Sequence, residues 1–140
     1  MSSTQTAEAL ANKSLDAFYA KDMKGWSELC DPGVIVEFPF APEGSPSRLE
    51  GRTAIYEYLK NYPNMIDIKE ITSRTVYTTN DPNTAVMEWG VSGRVIGNGN
   101  PYIMRYATFV SVRDGLIVNY REYWDPMAFT KAMSGARFNS

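Results

Sequence analysis

The run Met104-Arg105-Tyr106-Ala107-Thr108-Phe109-Val110-Ser111-Val112-Arg113-Asp114-Gly115-Leu116-Ile117-Val118-Asn119-Tyr120-Arg121-Glu122-Tyr123-Trp124 reads as two β-strands folded back on a tight turn. β-Branched and aromatic residues alternate with polar ones on both sides of Arg113-Asp114-Gly115, and the glycine accepts the left-handed conformation such a turn needs. Taken as a three-residue loop, the turn sets Val112 opposite Leu116. Val110, Thr108, Tyr106 and Met104 then face Val118, Tyr120, Glu122 and Trp124, and all of these share one sheet face.

Upstream, Gly97-Asn98-Gly99-Asn100-Pro101 is a second hairpin turn, reached by a strand over Ala85–Ile96. Asn80-Asp81-Pro82-Asn83 is another turn, and Ile66–Thr79 is β-rich, its apolar parity changing near Glu70 as a bulge would cause. Ahead of Pro63 the periodicity is mainly helical. Ala7, Ala11, Ser14, Leu15 and Phe18 make one stripe between Thr6 and Ala20, and Asp22 caps a shorter helix carrying Trp26, Leu29 and Cys30. Val34–Phe38 is a short strand and Ala41–Ser47 a Pro/Gly/Ser loop. Arg52–Tyr62 returns to helix, with Ile55, Tyr58, Leu59 and Tyr62 on one side and Pro63 as its stop. After Pro63 everything is strand-like. Helices first and a bent sheet last predict an α+β fold. A curved antiparallel or mixed sheet wraps N-terminal helices into a cone with an internal apolar pocket, and residues 1–140 form one domain.

The bulk properties narrow the chemistry. With 140 residues the chain can bury about two-thirds of its unfolded surface, enough for a real core. Aromatic residues make up 13%, more than a bare core needs, which points to a pocket or an interface. Fourteen basic and sixteen acidic residues leave a net charge of −2, too little field to favour nucleic acid or an anionic membrane as partner. No apolar run approaches a membrane span, and the first residues have no signal-peptide pattern. Cys30 is the only cysteine, so no intrachain disulfide can form; the thiol reads as a small buried side chain and the protein as cytoplasmic. There is no histidine, which excludes imidazole bases, His-containing triads and His-ligated zinc. Carboxylates, tyrosines and lysines remain for proton chemistry. No phosphate-binding glycine loop and no acidic cluster of ligand spacing is present, so neither a metal nor a cofactor is expected.

Glu122 is the one carboxylate on the apolar and aromatic face defined by the terminal hairpin. Desolvation disfavours its charged form and should raise its pKa towards neutrality, where it can both give and take a proton. Tyr106, directly across in this register, is its natural hydrogen-bond partner; the alternative is an ordinary core wall with Glu122 paired or reaching solvent. Trp124, Tyr120, Thr108 and Met104 would share the wall, and Phe18 and Tyr58 point inward from their helices. Met104 and Met87 serve as gap-fillers more readily than as ligands. Glu88 is a second candidate whose side of the sheet the hairpin register does not fix; a ligand contact, a structural hydrogen bond and a dimer contact all remain open. Arg105 and Arg121 fall on the opposite parity, as a solvated or interface pair.

Val36-Glu37-Phe38-Pro39-Phe40, Leu49-Glu50-Gly51-Arg52 and the closing Asp114-Gly115-Leu116-Ile117 through Trp124, in that order, resemble the ketosteroid isomerase/nuclear transport factor 2 superfamily over nearly the whole chain. Asn80-Asp81-Pro82-Asn83, Glu88, Gly93-Arg94, Asp114-Gly115, Ile117 and Arg121-Glu122 are similar to its phenazine-biosynthesis A/B branch. Arg121–Asp125 is similar to the end of limonene epoxide hydrolases. In both families the acid matching Glu122 belongs to the catalytic machinery, so the resemblance implies the same for Glu122. Phe38, which would line the pocket, stands where steroid isomerases carry their base Asp. Ser14 replaces their oxyanion Tyr, and Tyr58 falls where phenazine A/B proteins have an active-site His. The resemblance thus implies an inherited pocket with altered chemistry: a cofactor-independent isomerase, cyclase, dehydratase or condensing enzyme. Its substrate would be a small hydrophobic or aromatic, cyclic molecule, with Glu122 as general acid/base assisted by Tyr106. The superfamily also contains non-catalytic ligand-binding and assembly modules, and it implies a homodimer formed through the outer sheet face.

Overall fold

The computed structural model describes residues 6–135. Thr6 accepts from the Ala9 amide at 3.0 Å and starts α1 (Ala7–Tyr19), whose stripe of Ala7, Leu10, Ala11, Ser14, Leu15 and Phe18 is buried. Lys21, in the left-handed conformation at φ 62°, turns the chain into α2 (Met23–Glu28), which Asp22 caps through the Gly25 amide. The chain continues through β1 (Cys30–Glu37), β2 (Arg48–Glu50), α3 (Arg52–Leu59) and α4 (Tyr62–Met65). β3 (Ile66–Thr78), β4 (Thr84–Val95), β5 (Pro101–Arg113), β6 (Leu116–Trp124) and α5 (Pro126–Met133) complete it.

The six strands form one open mixed sheet in the order β2-β1-β6-β5-β4-β3, with β1 and β6 parallel and every other neighbour antiparallel. The N-terminal helices pack on its concave face, so the α+β cone expected from the sequence is what forms. Arg52 at the start of α3 reaches back to the Cys30 carbonyl, Nε at 3.0 Å, and fixes that helix against β1. Cys30 is fully buried, and burial pushes its thiol up to about 12, as befits an inert core residue.

Several elements differ from expectation. The helix begun at Arg52 ends at Leu59, and Pro63 lies in the first turn of α4 instead of stopping α3; a proline is tolerated there because its missing N–H has no intrahelical partner. α5 follows Asp125-Pro126, where only strand was expected. The Asp125 carboxylate accepts from Met127 N at 2.9 Å and Ala128 N at 3.3 Å, while Asn98 and Asn100 donate to the carbonyls at the other end. Asp125→Ala should therefore cost about 1 kcal/mol in urea unfolding, close to the usual worth of an N-cap. Asn at the same position should recover most of that loss.

The parity change in β3 is present as two register shifts, between Ile68 and Glu70 and between Ile71 and Ser73. They curve the strand; Gly93 of β4 lies against the displaced backbone of the first, and Gly90 against the Thr72 and Ser73 side chains of the second.

The terminal hairpin needs the correction that matters most for function. Arg113 pairs with Leu116, leaving Asp114 (φ 53°) and Gly115 (φ 78°) as a two-residue turn, since both supply the positive φ of the twist-matched hairpin geometry. A bulge then passes over Val118: Val112 pairs with Ile117, and Ser111 with Asn119. Ile117, rather than Leu116 or Val118, points into the core. The bulge restores the inward parity of Tyr120, Glu122 and Trp124 but moves each by one pair, to lie opposite Val110, Thr108 and Tyr106.

Candidate active site

The concave face of the sheet and the helices enclose an apolar cavity. Its atom-free space, the mouth included, is about 740 Å³. β6 supplies Tyr120, Glu122 and Trp124, alternate residues that point the same way along a strand. β5 supplies Tyr102 and Tyr106, β4 Trp89, and the helices Phe18, Trp26, Tyr58 and Tyr62. Their rings interlock: Trp89 stacks on Tyr106 at 4.2 Å and meets Phe18 edge-on at 5.6 Å, while Phe38 lies 5.3 Å from Trp124 and 5.5 Å from Tyr58. Phe129 of α5 also lines the space.

Among the described residues, Glu122 is the only carboxylate in this lining. Burial pushes its carboxyl up from 4.5 to about 7, against the smaller opposing effect of the Tyr120 hydroxyl, which donates to Oε1 at 3.3 Å. That partner is the hairpin correction at work: Tyr106 is not across from Glu122 and does not bond it. The Tyr106 and Tyr102 hydroxyls instead bond each other at 2.7 Å. Burial, with the Glu122 charge nearby, holds the Tyr106, Tyr120 and Tyr62 hydroxyls well above their ordinary 10, and Tyr58 at about 12, so they stay protonated donors at neutral pH.

Seven residues anticipated from the sequence, Glu122, Tyr106, Trp124, Tyr120, Phe38, Tyr58 and Phe18, meet in this lining. Thr108 and Met104 are on the same sheet face but outside it: Thr108 is buried opposite Glu122 and accepts from Trp89 Nε1 at 3.1 Å, and Met104 packs into the core. Glu88 is on the wrong side. It is exposed on the convex face, where it accepts from the Tyr77 hydroxyl at 3.0 Å, so it cannot touch a ligand in the cone. Its neighbour Trp89 takes the inward position, and Met87 and Trp89, both buried, show the parity that decides this. Arg105 shares a shallow outer groove with Glu88, and Arg121 lies 4.7 Å from the Phe109 ring on that same face. Trp89, Tyr62, Tyr102 and Phe129 were not singled out from the sequence; the Tyr62 signal was present, in the helical stripe that ends there.

Among the described residues no group of three or more His, Cys, Asp or Glu side chains gathers to hold a metal, and no helix is long and apolar enough to cross a membrane.

A curved open sheet around N-terminal helices is the architecture of the nuclear transport factor 2-like superfamily. Within it the chain belongs to the SnoaL-like domain family, which residues 11–120 match. The uncharacterized protein YesE of Bacillus subtilis is 47% identical over 116 residues, 83% of this chain and 79% of that protein. An uncharacterized PhzA/B-like protein of Pseudomonas aeruginosa is 32% identical over 81% of this chain and 80% of its own length. Among solved structures, a Bacillus subtilis protein provisionally named an isomerase superposes with a TM-score of 0.86 at 43% identity, covering 93% of this chain and 94% of that one. A phenazine biosynthesis-related protein of Pseudomonas aeruginosa shares the fold at a TM-score of 0.70 and 20% identity, over 96% of this chain and 92% of that one.

Proposed function

We propose that the cavity is the active site of a small-molecule enzyme in which Glu122 is the general acid/base for a hydrophobic cyclic substrate. The reaction would be of isomerase, cyclase, dehydratase or condensation type. The observation that carries the reading is the placement of one carboxyl, held near neutrality, in an otherwise apolar and aromatic wall. A carboxyl with a pKa near 7 exists in both forms under physiological conditions, so it can remove a proton from one carbon or heteroatom and return it to another without any further group. Tyr120 orients that carboxyl, and Tyr106, one inward pair along the same sheet face and bonded to Tyr102, assists it. The isomerase and cyclase names carried by structural neighbours agree with chemistry of this kind.

The competing reading, a ligand-binding or assembly module of the same fold, needs no special acidity at Glu122. Titration of the Glu122 side-chain carboxyl by carbon NMR separates the two. The catalytic reading expects a midpoint near 7, moving when a ligand fills the cavity. A midpoint near the ordinary value of about 4.3 would remove the basis for it.

A further inference from the structure

Trp89, Thr108, Tyr120 and Glu122 stand in a row of hydrogen-bonding groups that crosses β4, β5 and β6 on the concave side of the sheet. Trp89 Nε1 donates to Thr108 Oγ1 at 3.1 Å, the Thr108 and Tyr120 hydroxyls are in hydrogen-bonding contact, and Tyr120 Oη donates to Glu122 Oε1 at 3.3 Å. The two ends set the direction of the row. An indole N–H can only donate, and an ionised carboxylate can only accept. Tyr120 has one proton, which goes to Glu122, so towards Thr108 it must accept. Thr108 then accepts from Trp89 and donates to Tyr120. The indole that starts the row is held by its packing, stacked on Tyr106 at 4.2 Å and edge-on to Phe18 at 5.6 Å. Thr108 is wholly buried opposite Glu122, where Val would have the same shape and no polar atom to satisfy. What Thr adds there is the hydroxyl that links indole to phenol.

We infer that Thr108 is a positioning residue for Glu122: with Trp89 behind it, it holds the Tyr120 hydroxyl in the orientation that donates to Oε1, leaving Oε2 as the oxygen that exchanges a proton with substrate. The inference rests on reading Glu122 as the acid/base and adds the residues that act on it through Tyr120. In a row of bonds pointing one way each donor strengthens the next, by roughly 10–30% per bond. Without the Thr108 hydroxyl, Tyr120 is free to turn away, and where it still donates it donates less strongly. Both changes disfavour the carboxylate, so Glu122 should keep its proton to higher pH. Among the described residues, the other titratable groups facing Glu122 are Tyr58 on α3, Tyr62 on α4 and Tyr102 and Tyr106 on β5. Burial keeps all four protonated at neutral pH, so the carboxyl titrates against a constant background.

The test follows the Glu122 side-chain carboxyl by carbon NMR in the full chain. Thr108→Val should raise its titration midpoint by about 0.5 to 1 pH unit, and Thr108→Ser, which restores the hydroxyl, should return it to the unaltered value. A hydroxyl that acted on the carboxyl directly would not need Tyr120. Thr108→Val placed in a Tyr120→Phe chain should therefore add nothing to the rise that Tyr120→Phe produces alone. One readout requires no variant to fold. The Trp89 indole N–H resonance, identified by its contacts with Phe18 and Tyr106, should move with the Glu122 midpoint, because ionisation strengthens every bond in the row. No rise in Thr108→Val, no recovery in Thr108→Ser, an equal rise in the Tyr120→Phe chain, or an indole resonance flat across the midpoint would each overturn the inference. Turnover separates it from the reading beneath it. A midpoint that shifts as expected in a protein whose turnover survives Glu122→Gln keeps the Thr108 assignment and ends the acid/base one. Turnover lost in Glu122→Gln with an unmoved midpoint in Thr108→Val does the reverse.

Discussion

Glu122→Gln is expected to reduce kcat by about 10²- to 10⁴-fold on any substrate the cavity turns over, the usual worth of a positioned general acid/base. Glutamine has nearly the same shape and can still accept the Tyr120 hydroxyl, so the fold and the cavity should survive while proton exchange does not. KM should change little, since the carboxyl contributes to the reacting step and not to the aromatic enclosure. Turnover that persists in the folded variant would end the acid/base assignment. The same substitution has a second readout. A carboxyl raised from 4.5 to about 7 holds its proton more tightly in the folded than in the unfolded chain. Stability is then greatest below the unfolded value, falls as pH rises through the interval between the two, and is level again above the folded value. The full drop is roughly 3 kcal/mol. Urea unfolding at pH 5 and pH 8 should show most of it in the unaltered protein and a much smaller difference in Glu122→Gln.

Gly93→Ala should be the most damaging single methyl in the sheet. A Cβ at that position would lie 2.1 Å from the Asp67 carbonyl oxygen and 2.9 Å from Ile68 Cα. Both obstacles are backbone atoms of the first β3 bulge, so no side-chain rotation relieves them. Either the bulge straightens or β4 is pushed away from β3. Overpacking of this kind costs about 1–3 kcal/mol where side chains can yield, and backbone obstacles place this case at or beyond the upper end. Chemical unfolding of Gly93→Ala beside Gly99→Ala gives the measure. Gly99 has open space around it and a positive φ of 72°, so its cost is that of conformation alone. A Gly93 variant no worse than the Gly99 variant would contradict the packing described here.

Much of this arrangement was legible in the chain. The stripe through Leu15 and Phe18, the β-rich segment with its parity change and the alternation in the last hairpin specify a helix, a bulged strand and an inward face. The inward position of Glu122 follows from that alternation. What sequence could not supply was the pairing. Asp114-Gly115 fits either a two- or a three-residue turn, and nothing in Leu116-Ile117-Val118-Asn119, where three apolar residues run together, marks which of them bulges. The two departures, a shorter turn and an extra residue at Val118, cancel in parity, which is why Glu122 was placed on the correct face with the wrong partner. For Glu88 the terminal hairpin register did not reach its strand, and its alternation with Met87 and Trp89, both apolar, was the better guide. α5 escaped notice because its helix depends on Asp125 as cap and on Asn98 and Asn100, side chains distant in sequence that meet its far end only in the folded molecule.

The parallel pairing of β1 with β6 bears on how the molecule is made. Asn119 reaches the Ile35 carbonyl across 84 residues of chain, and pairings of such long range are among the slow steps of folding because a large loop must close before any contact rewards it. On a ribosome adding about 5–20 residues each second, β1 waits on the order of ten seconds for its neighbour. During that time the edge of Val34-Ile35-Val36 that β6 will cover has no strand beside it. The short β2 can shield only the opposite edge. The nascent chain thus carries an apolar, unpaired strand edge for most of its synthesis, and the yield of native protein in cells should respond to chaperone supply more strongly than the stability of the finished fold would suggest.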